Sequence, residues 1–525
     1  QFDAGWDTLR AEIFQRQIDL GVIPADTDLT PRPEEIVSWD EYPDRYKPVA
    51  SRLMEAFAGF LAHTDHHIHR LLTSLEERGM LDNTLVFYIT GDNGASGEGT
   101  LHGAWSAPSF QNGRPEDPEW LLEHMDDFGS ADCENHYNYP WAWALDSPFQ
   151  WMKQVASHFG GTRNAMAVSW PKVITDAGGL RTQFHHVVDI APTIYEACGI
   201  TQPSSVNGIE QMEVHGTSMA YTFDDADVAD RHETQYFEIM GNRGVYHQGW
   251  MASCFHGRPP WIRWQGMPFD GEQERWELYD LRTDFSQAVD VAAQYPEKLA
   301  ELMEVFDREA RRNSVYPMRD PGSGSQLVAP VPSSLGDLTK MTYTSVHARM
   351  PEFSVVNVKN TSWRMTAVVE VGEGAHGVIA CQGGNMAGWS LYLSELGVPT
   401  FHYNWFGHQH TSVVAPTALI AGRHEIDMLF AYDGGFAAGG DVALSVDGVL
   451  VSEGRVPNTV PVIFSMSGET FDVGVDTGAP VGPYPHQFEF TGRIVGVTIE
   501  RLGERPESVL QAMRDGQIRA SIASQ

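Results

Sequence analysis

The segment Asn83-Thr84-Leu85-Val86-Phe87-Tyr88-Ile89-Thr90 constrains the fold more than any other stretch of this 525-residue chain. It is a near-continuous apolar run, broken at once by Gly91-Asp92-Asn93-Gly94. Such a run reads as a strand buried on both faces, the mark of a parallel sheet beneath helices. Helical periods lie around it. Trp6 to Leu20 carries Trp6, Leu9, Ile13 and Ile18, with Gly21 at its stop. Ala50 to Gly79 carries Met54, Phe57, Leu61, Ile68, Leu72 and Leu75 on roughly one face. Asn164 to Trp170 reads as a further strand, Asp189 with Pro192 as the start of a helix running to Gly199, and Pro296 to Arg312 as a charged amphipathic helix. This alternation predicts an α/β domain over residues 1–312, a sheet with helices on both sides.

The texture changes afterwards. Residues 313–340 hold Pro317, Pro321, Gly322, Gly324, Pro330 and Pro332, a linker composition. Over 341–502 the helical period is lost. Short alternating runs (Trp389 to Leu393, His424 to Phe430, Val442 to Val446, Gln487 to Phe490) are separated by glycine-rich turns, and Asp447-Gly448 signals a hairpin. The pattern predicts an antiparallel β-sandwich. Residues 503–525 form a polar tail, either a short helix or disordered.

Charge narrows the partners. Lys plus Arg total 35 against 70 Asp plus Glu, a formal net charge of −35. That field argues against a general nucleic-acid or anionic-membrane binder. An anionic substrate therefore needs a local cation cluster or a metal. No apolar stretch approaches the roughly 18 residues of a membrane span. Cys133, Cys198, Cys254 and Cys381 are too scattered for a disulfide framework or a zinc knuckle and leave the redox compartment open. Gln1 is followed by neither a basic nor an apolar leader region. Location stays open on these grounds, with a periplasmic or extracellular one compatible.

The sharpest candidate for chemistry is Thr90-Gly91-Asp92-Asn93-Gly94-Ala95, at the carboxyl end of a strand, where ligands gather in open α/β sheets. Asp92 and Asn93 offer hard oxygen donors suited to Ca²⁺ or Mg²⁺; the same residues also make ordinary turns. Lys153, ahead of Gly160-Gly161, is either a cation for an oxyanion or a surface lysine on a loop. His66-His67 with His69 read as a solvated helix face, with a zinc pair conceivable; His185-His186 reads as an inward-facing structural histidine, and isolated His102 adds little. No nucleophile elbow, P-loop or dinucleotide fingerprint occurs.

In combination, these segments resemble the sulfatase family of the alkaline-phosphatase-like superfamily, and within it bacterial arylsulfatases. The likeness rests on Phe2-Asp3-Ala4-Gly5-Trp6-Asp7, Thr90 to Ala95, Trp151-Met152-Lys153, His158 to Asn164, His185 to Ile194 and Trp276 to Leu281, in that order. The resemblance implies an alkaline-phosphatase-like fold with a central, mostly parallel sheet, here incomplete. It implies a divalent cation, usually Ca²⁺, held by two N-terminal aspartates and by an Asp-Asn pair that Asp92 and Asn93 match. It implies a sulfate-contacting lysine at Lys153, with His158 beside it a candidate for sulfate contact or leaving-group protonation. It also implies a formylglycine nucleophile made from a Cys/Ser-x-Pro-x-Arg motif, which this chain does not encode. Its two Pro-x-Arg triplets, Pro43-Asp44-Arg45 and Pro317-Met318-Arg319, are preceded by Glu41 and Val315 at the needed position. The family's N-terminal aspartates, Lys-x-His element and upstream active-site histidine also have no match. The expectation is an N-terminally truncated arylsulfatase-type sulfuric ester hydrolase acting on a sulfate ester, and inactive as this fragment alone. A phosphodiester or phosphonate hydrolase of the same superfamily and a non-catalytic glycan-binding protein are the alternatives. The C-terminal region resembles the concanavalin-like sandwich behind some bacterial arylsulfatases. Its Trp389, Tyr403, Trp405 and Phe406 either stack on sugars or fill the core.

Overall fold

The computed structural model describes residues 2–257, 259–261, 274–316, 318, 338–465 and 468–523, without the side chains of 517–523. The chain forms two compact units. The first joins 1–101 to 138–322, and the second joins 102–137 to 323–525. Most of the expected 313–340 linker lies outside the described residues.

In the first unit, helix α1 (Gly5–Asp19) and helix α2 (Lys47–Glu77) match the two helical periods. α1 is anchored by Trp6, which is fully buried and meets Trp39, Tyr42 and Trp141 edge to face. Such ring pairs add about 0.5–1.5 kcal/mol each beyond area burial. Strand β1 (Val86–Ile89) follows the apolar run, but its setting corrects the expectation. It pairs antiparallel with strand β2 (Met166–Ser169). Tyr88 and Ile89 are 38% and 40% exposed. Every strand pair among the described residues is antiparallel. An apolar run becomes a twice-buried parallel strand only when strands flank both edges and layers cover both faces. Among the described residues β1 has one neighbouring strand.

Farther along, Ile190–Cys198 is helical and ends on Gly199 at φ +63°, the left-handed stop expected there. Four consecutive strands over Thr234–Asp280 form an antiparallel sheet. Helix Pro296–Arg312 lays Leu302, Val305, Phe306 and Ala310 against its Val245, Ala252 and Leu278. This amphipathic stripe is the one legible from spacing.

The second unit contains two six-stranded antiparallel sheets that share one apolar cluster. Met365, Ala367 and Val369 enter it from one sheet; Leu391 and Phe401 enter from the other. Trp389, Tyr403 and Phe406 are buried in the same cluster, and Trp405 is partly buried against it. Asp447 and Gly448, at φ +51° and +78°, close the hairpin between Gly440–Val446 and Val449–Val456. Gln487 to Phe490 is no strand. Gln487 takes φ +56°, and Phe488 packs with Val378, Tyr392, Val481 and Tyr484, so its apolar residues belong to a covering loop. The tail carries helix Glu507–Ala523. No helix among the described residues is long and apolar enough to cross a membrane.

The first-unit residues that flank 102–137 are tied to each other. Asn138 Nδ2 donates to Leu101 O at 3.0 Å, and Tyr139 N to Thr100 O at 3.1 Å. Sequence texture, which is local, predicts one continuous domain to 312 and gives no sign of this excursion.

Candidate functional site

The loop after β1 is clipped to the 146–165 segment at five points. Thr90 N donates to Ala165 O (3.0 Å), Gly94 N to Gly161 O (3.1 Å) and Lys153 N to Ala95 O (3.1 Å). Asn164 Nδ2 donates to Gly91 O (3.2 Å), and Ala95 N to Asp146 Oδ1 (2.9 Å). The approach is close enough to demand glycine. A Cβ on Gly94 would lie 1.7 Å from Gly160 O, and one on Gly160 would lie 2.2 Å from Gln150 O. Two motifs about sixty residues apart in sequence thus share one backbone seam.

Arg10, 1% exposed, braces this segment from α1. It donates to Trp143 O (2.6 Å), Phe149 O (2.8 Å) and Thr30 Oγ1 (2.8 Å). Burial draws its pKa down to about 10, against the pull of Asp146. Burial also lifts the Asp146 carboxyl well above the usual range, opposed by the Ala95 N–H and Arg10.

The Asp92 carboxylate is exposed and makes no hydrogen bond or ion pair among the described residues. Asn93 beside it is half-buried. An unengaged carboxylate next to a carboxamide, on a loop held from behind, suits a hard divalent cation. It supplies part of a ligand set, one carboxylate and one amide oxygen. Among the described residues, the group of three ionisable ligand side chains that converge is elsewhere: Cys381, Asp472 and Asp476. There Asp472 Oδ2 accepts from Thr477 N and Oγ1, and Asp476 Oδ2 from Val481 N and Tyr484 Oη, so both carboxylates organise loops.

Lys153 sits between two residues of left-handed backbone, Trp151 at φ +65° and Gln154 at φ +76°. Such conformations cost of order 1–3 kcal/mol each and persist only where the surroundings impose them. Its Nζ lies 3.2 Å from Glu98 Oε2. Glu98, 8% exposed, also accepts from Gln154 Nε2 (2.7 Å) and Ser96 Oγ (2.9 Å). Lys153 is therefore a paired, largely buried cation rather than a loose surface lysine. Glu98 escaped the sequence reading because a single carboxylate between Gly97 and Gly99 has no motif spacing to a lysine 55 residues on.

His158 reaches the strand that carries Glu277. It is 1% exposed, its Nδ1 meets Ser157 Oγ (2.9 Å) and its Nε2 meets Glu277 Oε2 (3.1 Å). Both ring nitrogens are engaged by the protein. Burial pushes the Glu277 carboxyl up, but hydrogen bonds from His158 and Tyr279 prevail and hold it below its usual value. His185 and His186 are structural. Fully buried Asp189 accepts from His232 Nδ1 (2.8 Å), Thr217 N (2.7 Å) and His186 N (2.9 Å), while His186 caps the turn into the helix. His66 and His69 are both exposed, in keeping with a solvated helix face.

The sulfatase family model matches residues 30–200. An uncharacterized sulfatase of Schizosaccharomyces pombe is 27% identical over 312 residues, 58% of this chain and 52% of that protein. An arylsulfatase of Klebsiella aerogenes is 26% identical over 220 residues, 42% of this chain and 45% of that protein. A solved sulfatase structure from work on glycosaminoglycan metabolism by Bacteroides thetaiotaomicron aligns at 16% identity over 47% of this chain and 42% of that one, with a TM-score of 0.31. Over residues 30–200 the chain is thus similar to the sulfatase family, and the relatives it resembles are sulfatases. It spans about half the length of the curated relatives it matches.

Proposed function

We propose that the first unit is the metal- and sulfate-binding part of an arylsulfatase-type sulfuric ester hydrolase. The observation that carries this is the unengaged Asp92 carboxylate beside Asn93, on a loop sharing a backbone seam with Lys153. Asp92 and Asn93 would hold Ca²⁺ or Mg²⁺ from this side. Such an ion supplies Lewis acidity toward the ester's non-bridging oxygens. Lys153 offers a fixed ammonium to the same dispersed anion. In a chain of net charge −35, a preorganised cation counts for more than diffuse attraction. Glu98 fixes that ammonium, and His158 braces the turn behind it from the Glu277 strand.

The nucleophile, a formylglycine, and the remaining metal ligands are assigned to a segment outside these 525 residues. Uncovered apolar side chains on β1 support a missing layer: Tyr88 is 38% exposed and Ile89 40%. We read the second unit as a concanavalin-like β-sandwich, supported by its two antiparallel sheets around one core. Burial of Trp389, Tyr403 and Phe406 disfavours these three rings as a sugar platform.

Equilibrium dialysis with radioactive calcium tests the reading. Binding is expected in the unmodified chain and in Lys153→Ala, and its loss in Asp92→Ala. Equal calcium in all three overturns the ligand assignment.

A further inference from the structure

We propose that His63 and His67 form a bidentate site for a transition-metal dication, Zn²⁺, Ni²⁺ or Cu²⁺, on the exposed C-terminal half of α2. The residues are four apart, so their side chains leave one helix face a turn apart. Their Nε2 atoms stand 3.1 Å apart and their ring centroids 4.4 Å apart. Two imidazole nitrogens each roughly 2.0–2.1 Å from a shared ion, at an angle between about 90° and 109°, are about 2.8–3.4 Å apart. The pair already spans that bite. Both side chains are exposed, so an ion reaches them without disturbing the core. His66, its ring edge-on to His67 at 5.4 Å, is the neighbouring third imidazole. Nitrogen donors select borderline metals over the hard Ca²⁺ and Mg²⁺, which separates this site from Asp92 and Asn93. Slight desolvation, then His63, Arg70 and His66, lower the His67 pKa, which favours the neutral ring that a metal needs.

Arg70 opposes the metal. Its Nη1 lies 3.0 Å from His67 Nδ1. A guanidinium only donates, so this contact makes Nδ1 the acceptor and puts the His67 proton on Nε2, facing His63. Chelation through both Nε2 atoms needs that proton on Nδ1 instead, which breaks the Arg70 contact. The guanidinium also sets a positive charge beside the dication. Removing Arg70 therefore strengthens the site. A generic surface histidine, by contrast, has no reason to respond to it.

Zn²⁺ titration of the purified chain against a chromophoric chelator, with Ca²⁺ present throughout, tests this. Far-UV circular dichroism confirms that each exposed-helix variant is folded. His63→Ala and His67→Ala should each weaken binding by at least about tenfold, since even second-sphere losses cost 10–100-fold. His69→Ala should bind as the unmodified chain does, and Arg70→Ala should bind tighter. Unchanged affinity in His63→Ala and His67→Ala, or weaker binding in Arg70→Ala, overturns the proposal. Cu²⁺ electron paramagnetic resonance supplies a second reading: two-nitrogen coupling in the unmodified chain, and one or none in His63→Ala.

Discussion

Lys153 Nζ and Glu98 Oε2 are 3.2 Å apart, with side chains only 15% and 10% exposed. Taking two charges out of water is unfavourable, and their attraction offsets this only where the geometry is good and the remaining lone pairs are satisfied. Glu98 meets that condition through Gln154 and Ser96. Glu98→Gln keeps the shape but removes the carboxylate charge beside the ammonium. The expected loss is roughly 2–4 kcal/mol, below the full cost of breaking a buried pair because both groups retain some solvent contact. Urea unfolding of the variant measures it. A midpoint unmoved from the parent would show that the pair does not form in solution.

The seam between Gly94 and Gly160 predicts a contrast among glycines. Gly94→Ala drives a methyl into Gly160 O, a backbone atom that cannot swing aside, so the two loops must part. Overpacking of this kind costs about 1–3 kcal/mol, and the displacement should also weaken calcium binding at Asp92. Gly59, within α2, has open space around its Cβ position and an ordinary helical backbone. Gly59→Ala should stabilise by up to about 1 kcal/mol. Thermal unfolding of the two variants side by side checks the opposite signs.

Where the determinants are local, the sequence sufficed. Gly21 and Gly199 stop helices, Asp447-Gly448 closes a hairpin, and the 296–312 stripe finds its sheet. Asp92, Asn93 and Lys153 could be picked out because each lies in a short recognisable segment, and the backbone seam does bring those segments together. What was hidden depends on pairing across distance. The apolar run of β1 says nothing about how many strands flank it. Glu98 acquires its partner only when residues 55 apart meet. His63 and His67 converge, rather than His66 and His69, because of rotamer and tautomer, which spacing does not encode.

His402 ties stability to acid. It is 2% exposed, with Nδ1 2.8 Å from Ser412 Oγ and Nε2 3.1 Å from His410 Nδ1. Burial, then His410, bring its pKa down to about 4. An unfolded histidine titrates near 6.5. The unfolded chain therefore takes the proton first. The stabilisation is complete above about pH 6.5 and is lost as pH falls through 4, on the order of 3 kcal/mol in all. His186 is lowered to about 4 chiefly by burial and has the same sign in the first unit. His232 runs the other way. Burial lowers it, but Asp189 prevails and raises it, so its contribution is present below about 6.5 and fades as pH rises through its folded value. Unfolding midpoints between pH 7 and 4.5 should fall with acid, and His402→Gln should flatten that fall in the second unit. An equal slope in the variant would remove His402 from the account.

Asn112 tests whether residues 102–137 are integral to the second unit. It is 1% exposed, and its Oδ1 accepts from Val462 N (2.9 Å) and Ile463 N (3.1 Å), while Nδ2 donates to Ile463 O (2.9 Å) and Pro108 O (2.8 Å). One amide thus completes the backbone hydrogen bonding of a segment 350 residues away in sequence. Asn112→Ala strands buried N–H and C=O groups. At about 1–3 kcal/mol for each unsatisfied group, and less than additive in sum, the expected loss is roughly 3 kcal/mol. Asn112→Asp keeps the acceptor but sets a buried carboxylate oxygen against the carbonyls of Pro108 and Ile463, so it should lose at least as much as Asn112→Ala. The excursion should then become the first site of proteolytic cleavage, because its attachment opens before either sheet does. If Asn112→Ala unfolded at the parent denaturant concentration and the 102–137 segment stayed as protease-resistant, its attachment to the second unit would rest on other contacts.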